Sequence, residues 1–503
     1  MSYARVISAG LTGVTGQLVE VEAYLAPGLP GVHLTGLPDS ALNEARDRVR
    51  AAITNAGREW PSQRITVNLF PAYLRKRGSC FDLAIALAVL GGTGELPLNA
   101  LRQVLLVGEL GLDGSIRPVR GVLPMAAAAV HHGVRRAIVP HANSAEAALV
   151  PGLHVLGAPD LASVIRFVQG AGSLIPPEPA AESPVPQLLD LADVAGQELG
   201  RLAIEVAAAG GHHVAFKGPP GAGKSMLAKR LPSLLPPLDD DDALEVTSLH
   251  SVAGALPPGA PLIRRPPLQA PHHTASVSAL VGGGSGLPRP GALSLAHKGV
   301  LLLDEAPEFA ARALDALRQP LEEGIITISR TQGVVVYPAQ VQLVLTANPC
   351  PCANSASECQ CQPQARRRYL RRLSGPLLDR IDIQIETMPL SAAHLLGEDY
   401  REPSSVVAQR VAEARQAAIE RWRDIEVDLN ATVPPGVLRK PPWRLEPSVT
   451  APLMRLLDQG SISARGYDRI LRVAWTLADL AGLSRPGTEE LNIAIELRHG
   501  EAR

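Results

Sequence analysis

The sequence predicts an α/β protein: a core of parallel strands and flanking helices, preceded by a mixed α/β region and followed by helices. Three observations carry that prediction. A short apolar run, Val214-Ala215-Phe216, leads into Gly218-Pro-Pro-Gly-Ala-Gly223-Lys224-Ser225, which is G-x-x-x-x-G-K-S between a strand and a helix. A second apolar run, Val300–Leu303, ends in Asp304 and Glu305, as a buried strand does when it delivers acids at the C-terminal edge of a sheet. Between the first region and the core, residues 173–187 carry five prolines, the composition of a semi-rigid extended tether.

Bulk properties bound the rest. At 503 residues the chain exceeds a single core, and its length suggests about three domains. Hydrophobic content is 46% with only 3% aromatic residues, which favours helices packed through small side chains. The net charge of −1 gives no global attraction for nucleic acid, so any such binding must come from a local cluster. No apolar run is long enough to span a membrane, and the first residues lack a secretory pattern. Four of the five cysteines fall in one short segment, unlike a disulfide framework. These features set the expectation of a cytoplasmic protein.

Residues 1–172 read as one domain. Alternating apolar positions over 1–25 predict a β-hairpin, Pro38-Asp39-Ser40 predicts a helix start, and Arg64–Leu69 reads as a strand. The stretches ITVNLFPAYLRKRGSCFDLAIAL and LVGELGLDGSIRPVRGVLPMA resemble the Lon-protease-like domain at the front of bacterial ComM/YifB proteins. That resemblance implies an α+β Lon-like fold. It puts Cys80 at the nucleophile position of the Lon dyad and Leu123 at the position of its lysine. Leu123 cannot activate a thiol, so the domain is expected to be non-proteolytic, with Cys80 a buried small residue. Arg75, Lys76 and Arg77 are the nearby cations that could act on that thiol.

Residues 188–390 hold the core. Glycines of the loop Gly218, Pro219, Pro220, Gly221, Ala222, Gly223 let backbone N–H groups close around a phosphate. Lys224 supplies a mobile charge, Ser225 a Mg²⁺ ligand, and Met226 continues the helix whose positive end faces the same phosphates. Asp304 is placed to hold Mg²⁺ and Glu305 to orient or deprotonate water. Asp239–Asp242 reads as a solvated helix start. Residues 254–299 form a long Pro-, Gly- and His-rich segment, in which His272 and His273 read as loop contacts.

A predicted hairpin, ITISR-TQG-VVVYP, precedes a strand that ends at Asn348. LLDEAPEF, the hairpin, the strand with its terminal Asn, and SGPLLDRID together resemble the Mg-chelatase-like branch of AAA+ ATPases. The resemblance implies that Asn348 is the sensor that positions the lytic water. It also implies that Arg380 acts on the γ-phosphate of a neighbouring subunit, in an oligomeric ring expected to be a hexamer.

Between these two residues, Cys350, Cys352, Cys359 and Cys361 form C-x-C-x6-C-x-C, the ligand count of a tetrahedral zinc site. Free surface thiols or a redox pair are the alternatives. Arg366, Arg367, Arg368, Arg371 and Arg372 surround Tyr369. Clustered arginine suits a phosphate backbone and tyrosine can stack on a base; a solvated helix face or a neighbour's nucleotide would also account for the cluster.

Residues 391–503 read as a helical lid, with breaks at Gly460 and at Gly482–Gly487. Here SARGYDRILRVAWTLADLAG resembles the ComM/YifB pattern, which implies that Arg465 is a second sensor reaching the γ-phosphate from the lid. Arg469 and Arg472 read as surface or lid-packing residues. One departure from the family is RPPLQAPHH where RPFRAPHH is expected.

The resemblance implies an ATP- and Mg²⁺-dependent ring motor that acts on DNA. Two other classes remain open at this point: a chelatase motor driving metal insertion into a porphyrin, and a Lon-like protease or protein remodeller. The Lon-like front and the cysteine cluster argue against porphyrin, and Leu123 against proteolysis.

Overall fold

The computed structural model describes residues 3–36, 44–74, 76, 78–179, 189–284, 288–330, 333–354, 359–389 and 401–499. The expected helix start at 38–40, Arg75 and Arg77, most of the proline-rich tether, the hairpin tip at 331–332 and the expected 390/391 boundary lie outside the described residues. The chain forms two compact units: one of residues 1–185 with 243–263 and 331–336, the other of 186–242, 264–330 and 337–503.

The first unit is built on a seven-stranded mixed sheet. Strands β1 (Tyr3–Thr12) and β2 (Thr15–Ala26) form the expected hairpin, turning at Gly13, whose φ of +66° suits glycine. They are followed by β3 (Gly31–Thr35), helix α1 (Ala45–Asn55), β4 (Arg64–Phe70), α2 (Asp82–Gly92), β5 (Val104–Leu106) and α3 (Val122–His131). Strands β6 (Arg136–Pro140) and β7 (His154–Ala158) and helix α4 (Leu161–Val168) complete the unit's main elements. The strand order is β3-β4-β2-β1-β5-β6-β7. Helix α2 is apolar almost all round because it is buried almost all round. Cys80 and Leu123 are both buried in this core, and the Cys80 thiol lies 3.7 Å from the Ala9 carbonyl oxygen. Sequence composition misplaces the start of the tether. Leu174 is buried in the first core, and Ile175 exchanges two backbone hydrogen bonds with Gly157, so apolar side chains and strand pairing hold these residues to the unit.

The second unit places the site. Helix α5 (Glu198–Gly210) is capped by Gly211 at φ +77° and leads into β8 (Val214–Lys217). After the glycine loop comes α6 (Lys224–Leu234). Helix α7 (Asp240–Ala253) starts at the acidic run, where the Asp239 carboxylate accepts the Asp242 N–H at 2.8 Å; its residues from 243 onward belong to the first unit. Next are β9 (Leu268–Gln269), β10 (Val300–Leu303), the hairpin strands β11 (Ile325–Arg330) and β12 (Gly333–Pro338), and β13 (Gln342–Ala347). Helix α8 (Pro363–Leu370) precedes the last core strand, β14 (Ile383–Glu386).

The core sheet has the order β9-β10-β13-β8-β14, all parallel. Strand β8 therefore lies inside the sheet, with β13 on one side and the edge strand β14 on the other. A parallel sheet aligns its C-terminal ends on one edge, which brings residues 218, 304, 348 and 387 to the same side.

Helices α9 (Ser404–Trp422), α10 (Pro447–Asp458), α11 (Ala464–Leu480) and α12 (Thr488–His499) form the carboxy-terminal bundle, interrupted where the glycines predict. Three of the chain's four tryptophans meet there: Trp422 lies 4.7 Å from Trp443 and 5.6 Å from Trp475 between ring centroids. In a chain so poor in aromatic residues, this cluster anchors the bundle, each pair adding about 0.5–1.5 kcal/mol beyond its buried area. Among the described residues, no helix is long and apolar enough to cross a membrane.

Candidate nucleotide site

Three strand ends and one helix start converge on a single hydrogen-bonded group. The loop after β8 has Gly221 and Gly223 at φ +77°, where a side chain would be strained. A Cβ on Gly218 would fall 2.2 Å from the Thr387 hydroxyl oxygen beyond β14, so only glycine fits beside that strand. Lys224 is buried, and its ammonium donates to the Gly218 and Pro219 carbonyls at 2.8 and 2.7 Å and to Asn348 Oδ1 at 3.2 Å. Burial lowers its pKa, while Asp304 and Glu305 act in the opposite direction. Ser225, the next residue of α6, donates from Oγ to Asp304 Oδ1 at 2.7 Å.

Thr346 completes this group and was not singled out from sequence. Its hydroxyl donates to Asp304 Oδ1 at 2.5 Å and accepts the Glu305 N–H at 2.9 Å, fixing both acids beyond β10. A polar residue in the otherwise apolar run Leu343–Ala347 was the available signal. Glu305 takes a left-handed conformation, φ +52°, which turns its carboxylate out of the strand line. His273 was read as a loop contact, yet its Nδ1 lies 4.0 Å from Glu305 Oε2. The reason is topological: β9 pairs parallel with β10, so the chain after Gln269 emerges on the same edge as the acids.

Ser225 and Asp304 can thus hold a divalent cation. The loop with Lys224 can hold phosphates. Ala222 is buried within the loop; the Met226 side chain is exposed. Among the described residues, no hydrogen bond or ion pair joins Arg380 or Arg465 to this group. Arg380 instead donates to the Pro376 carbonyl at 2.6 Å and pairs with Glu322 at 2.8 Å. Arg465 is exposed in the first turn of α11, which is capped by Ser463. Arg469 and Arg472 are lid-packing residues. Arg469 pairs with buried Asp382, whose pKa burial alone would raise; the Arg469 guanidinium and the His212 and His213 rings hold it well below the usual carboxylate range.

The cysteines also converge. Sγ atoms of Cys350, Cys352, Cys359 and Cys361 all lie within 4.8 Å of one another. Tetrahedral ligation by sulfur at about 2.3 Å needs sulfurs about 3.8 Å apart, so the donor set fits a zinc ion. Burial pushes the Cys350 thiol up to about 12. The Cys361 backbone N–H, then neighbouring thiols and Arg366, pull Cys359 down to about 6.

The basic cluster differs from its reading in the sequence. Tyr369 is buried rather than available to stack on a base; burial, then Glu308 and Glu305, push its hydroxyl up to about 12. Arg372 Nη1 donates to the Pro307 carbonyl at 2.9 Å and lies 3.5 Å from Glu308 Oε2. Arg366, Arg367, Arg368 and Arg371 are exposed.

Comparison with known proteins agrees with this geometry. The family model of magnesium chelatase subunit ChlI matches residues 190–395, that of its C-terminal region 401–498, and a further ChlI model 21–143. The chain is 42% identical to YifB of Escherichia coli over 95% of its own length and 94% of the relative's. It is equally identical to the competence protein ComM of Haemophilus influenzae, over 96% and 94%.

The chain belongs to the ComM/YifB family of Mg-chelatase-like AAA+ ATPases.

An uncharacterized protein of Mycobacterium tuberculosis is 51% identical over the full length of both chains. The Lon-like character of the first unit also has a counterpart: Lon protease 3 of Sorangium cellulosum is 28% identical over 28% of this chain and 18% of its own. The family brings ATP and Mg²⁺ as cofactors, and the residues on the sheet edge fit both.

Proposed function

We propose that this protein is a cytoplasmic AAA+ ring motor, most simply a hexamer, that hydrolyses ATP to move branched or forked DNA. The observation that carries the ATPase reading is the bonded group on one sheet edge: Lys224 to Asn348, and Ser225 and Thr346 to Asp304, with Glu305 beside them. In this reading Lys224 binds β- and γ-phosphate oxygens in place of the loop carbonyls. Ser225 and Asp304 would hold Mg²⁺, whose charge would offset that of the transferred phosphoryl group. Glu305 accepts a proton from the attacking water, which Asn348 holds in line. Arg380 of one subunit reaches the γ-phosphate of the next, exchanging its Glu322 partner for phosphate, and Arg465 reports nucleotide state to the bundle.

DNA is supported by the exposed Arg366, Arg367, Arg368 and Arg371 and by a full-length relative named a competence protein. A zinc ion on Cys350, Cys352, Cys359 and Cys361 would hold that basic segment in shape. The first unit serves as a non-proteolytic scaffold, and no porphyrin partner is required. The reading is tested by incubating labelled forked DNA with protein and ATP. ATP-dependent strand movement by wild type and none by Glu305→Gln is expected; DNA that neither binds nor moves would remove the DNA assignment.

A further inference from the structure

We propose that α8 and the cysteine knot relay DNA contact to the catalytic glutamate, with Arg372 as the positioning residue of the relay. The inference rests on the DNA reading above and names the regulation of that same site.

The described residues 348–354 and 359–372 touch the site at both ends. Cys350 follows the sensor Asn348 by two residues, so the knot begins where the water-positioning strand ends. Two residues after Cys361, α8 begins, and Arg366 Nη2 donates back to Cys359 Sγ at 3.1 Å. The far end of the segment grips a different part of the site. Arg372 donates to the Pro307 carbonyl, and Tyr369 is buried near Glu308. Pro307 and Glu308 belong to the single 3-10 turn Ala306–Glu308 that follows Glu305, and the Glu308 N–H donates to the Glu305 carbonyl at 2.8 Å. A pull on Arg372 is therefore a pull on the turn that aims Glu305.

The two sides of this segment have opposite roles. Arg367, Arg368 and Arg371 face solvent without an acidic partner among the described residues, the chemistry of a phosphate-backbone contact. Tyr369 and Arg372 face the catalytic turn. A cavity of about 380 Å³ lined by His273, Thr274, Glu308, Phe309 and Arg372 lies at that turn, so these side chains can shift without displacing packed core. DNA seated on the outer arginines favours one position of α8, and through Arg372 one position of Glu305. Metal in the knot removes the slack that would dissipate this coupling.

The test uses the full chain with its zinc content measured. Binding of a fluorescent forked oligonucleotide and steady-state ATP turnover with and without it are compared in wild type, Arg372→Gln and Arg372→Lys. Wild type should be stimulated at least about fivefold, the lower end of ordinary coupling. Arg372→Gln should bind the oligonucleotide and a non-hydrolysable ATP analogue within about twofold of wild type, yet lose stimulation, with kcat rather than KM affected. Arg372→Lys, which keeps the positive charge and a long side chain able to reach the Pro307 carbonyl, should recover part of it. Equal stimulation of wild type and Arg372→Gln overturns the relay. Wild type that binds DNA without stimulation overturns the relay and leaves the DNA reading intact; wild type that binds no DNA overturns both.

Discussion

Each acid and donor at the nucleotide site is held by a second group, so single substitutions should separate binding from chemistry. Asp304 is held by Ser225 and Thr346, while Glu305 has its N–H fixed and its carboxylate turned outward. Glu305→Gln keeps the shape and the metal ligands but removes the proton acceptor. ATP affinity should persist while turnover falls by roughly a hundredfold or more; normal turnover in this variant would remove Glu305 from the chemistry. Lys224→Ala should instead abolish ATP binding in an equilibrium assay. His273 sits where it can steer Glu305, and His273→Ala should lower kcat by roughly tenfold with KM for ATP unchanged. A change in KM alone would make His273 a nucleotide contact. The first two residues were legible in sequence because the phosphate loop and the apolar run with two acids are local patterns. His273 and Thr346 were not, since each reaches the acids only through strand pairing.

At the scale of elements, helices and strands flanking glycines and acidic caps were legible, and so was the bundle that follows the core. What sequence missed depends on orientation. Five arginines around a tyrosine look alike along the chain, but one face of a short helix must pack. Tyr369 takes that face; Arg372, just past the helix, bonds the Pro307 carbonyl, and the other arginines stay in solvent. Four cysteines gave a ligand count; the fold supplied convergence. Elemental analysis of purified protein should find one zinc per chain, lost on replacing Cys359 and Cys361 by serine, and protein that folds fully without zinc would contradict the site.

The junction of bundle and core offers a pH test. His213 Nδ1 accepts the Leu343 N–H at 3.1 Å, and burial pushes its pKa down from 6.5 to about 4. A histidine with a lowered folded pKa adds stability at high pH that is lost as pH falls through the window from about 6.5 to about 4, at up to about 1.4 kcal/mol per unit. Nearby charges are Asp382, Arg469 and His212, with Arg472 and Arg498 around Asp382. Thermal unfolding followed by tryptophan fluorescence, which reports mainly the bundle, should shift to lower temperature between pH 7 and 5. His213→Asn should flatten that shift, and an unchanged profile would assign it elsewhere.

For the whole molecule, the proposed ring makes the phosphate loop one half of a site. Arg380 pairs with Glu322 inside the chain and has no bond to the bonded group around Lys224 among the described residues. In the proposed ring its target belongs to another copy. Arg380→Ala and Glu305→Gln should each be inactive alone, yet a mixture of the two should regain turnover, because some interfaces then pair an intact Glu305 with an intact Arg380. A mixture that stays inactive would return Arg380 to a structural role. Assembly of this kind is invisible to a single sequence except through the resemblance of SGPLLDRID to its family.

The measurement that bears most directly on a shared, DNA-linked site is ATP turnover per subunit across a range of protein concentrations, with and without forked DNA. Turnover per subunit that rises with concentration, and rises further with forked DNA, is the predicted result. Turnover per subunit that stays constant across concentration and is indifferent to DNA would contradict the account.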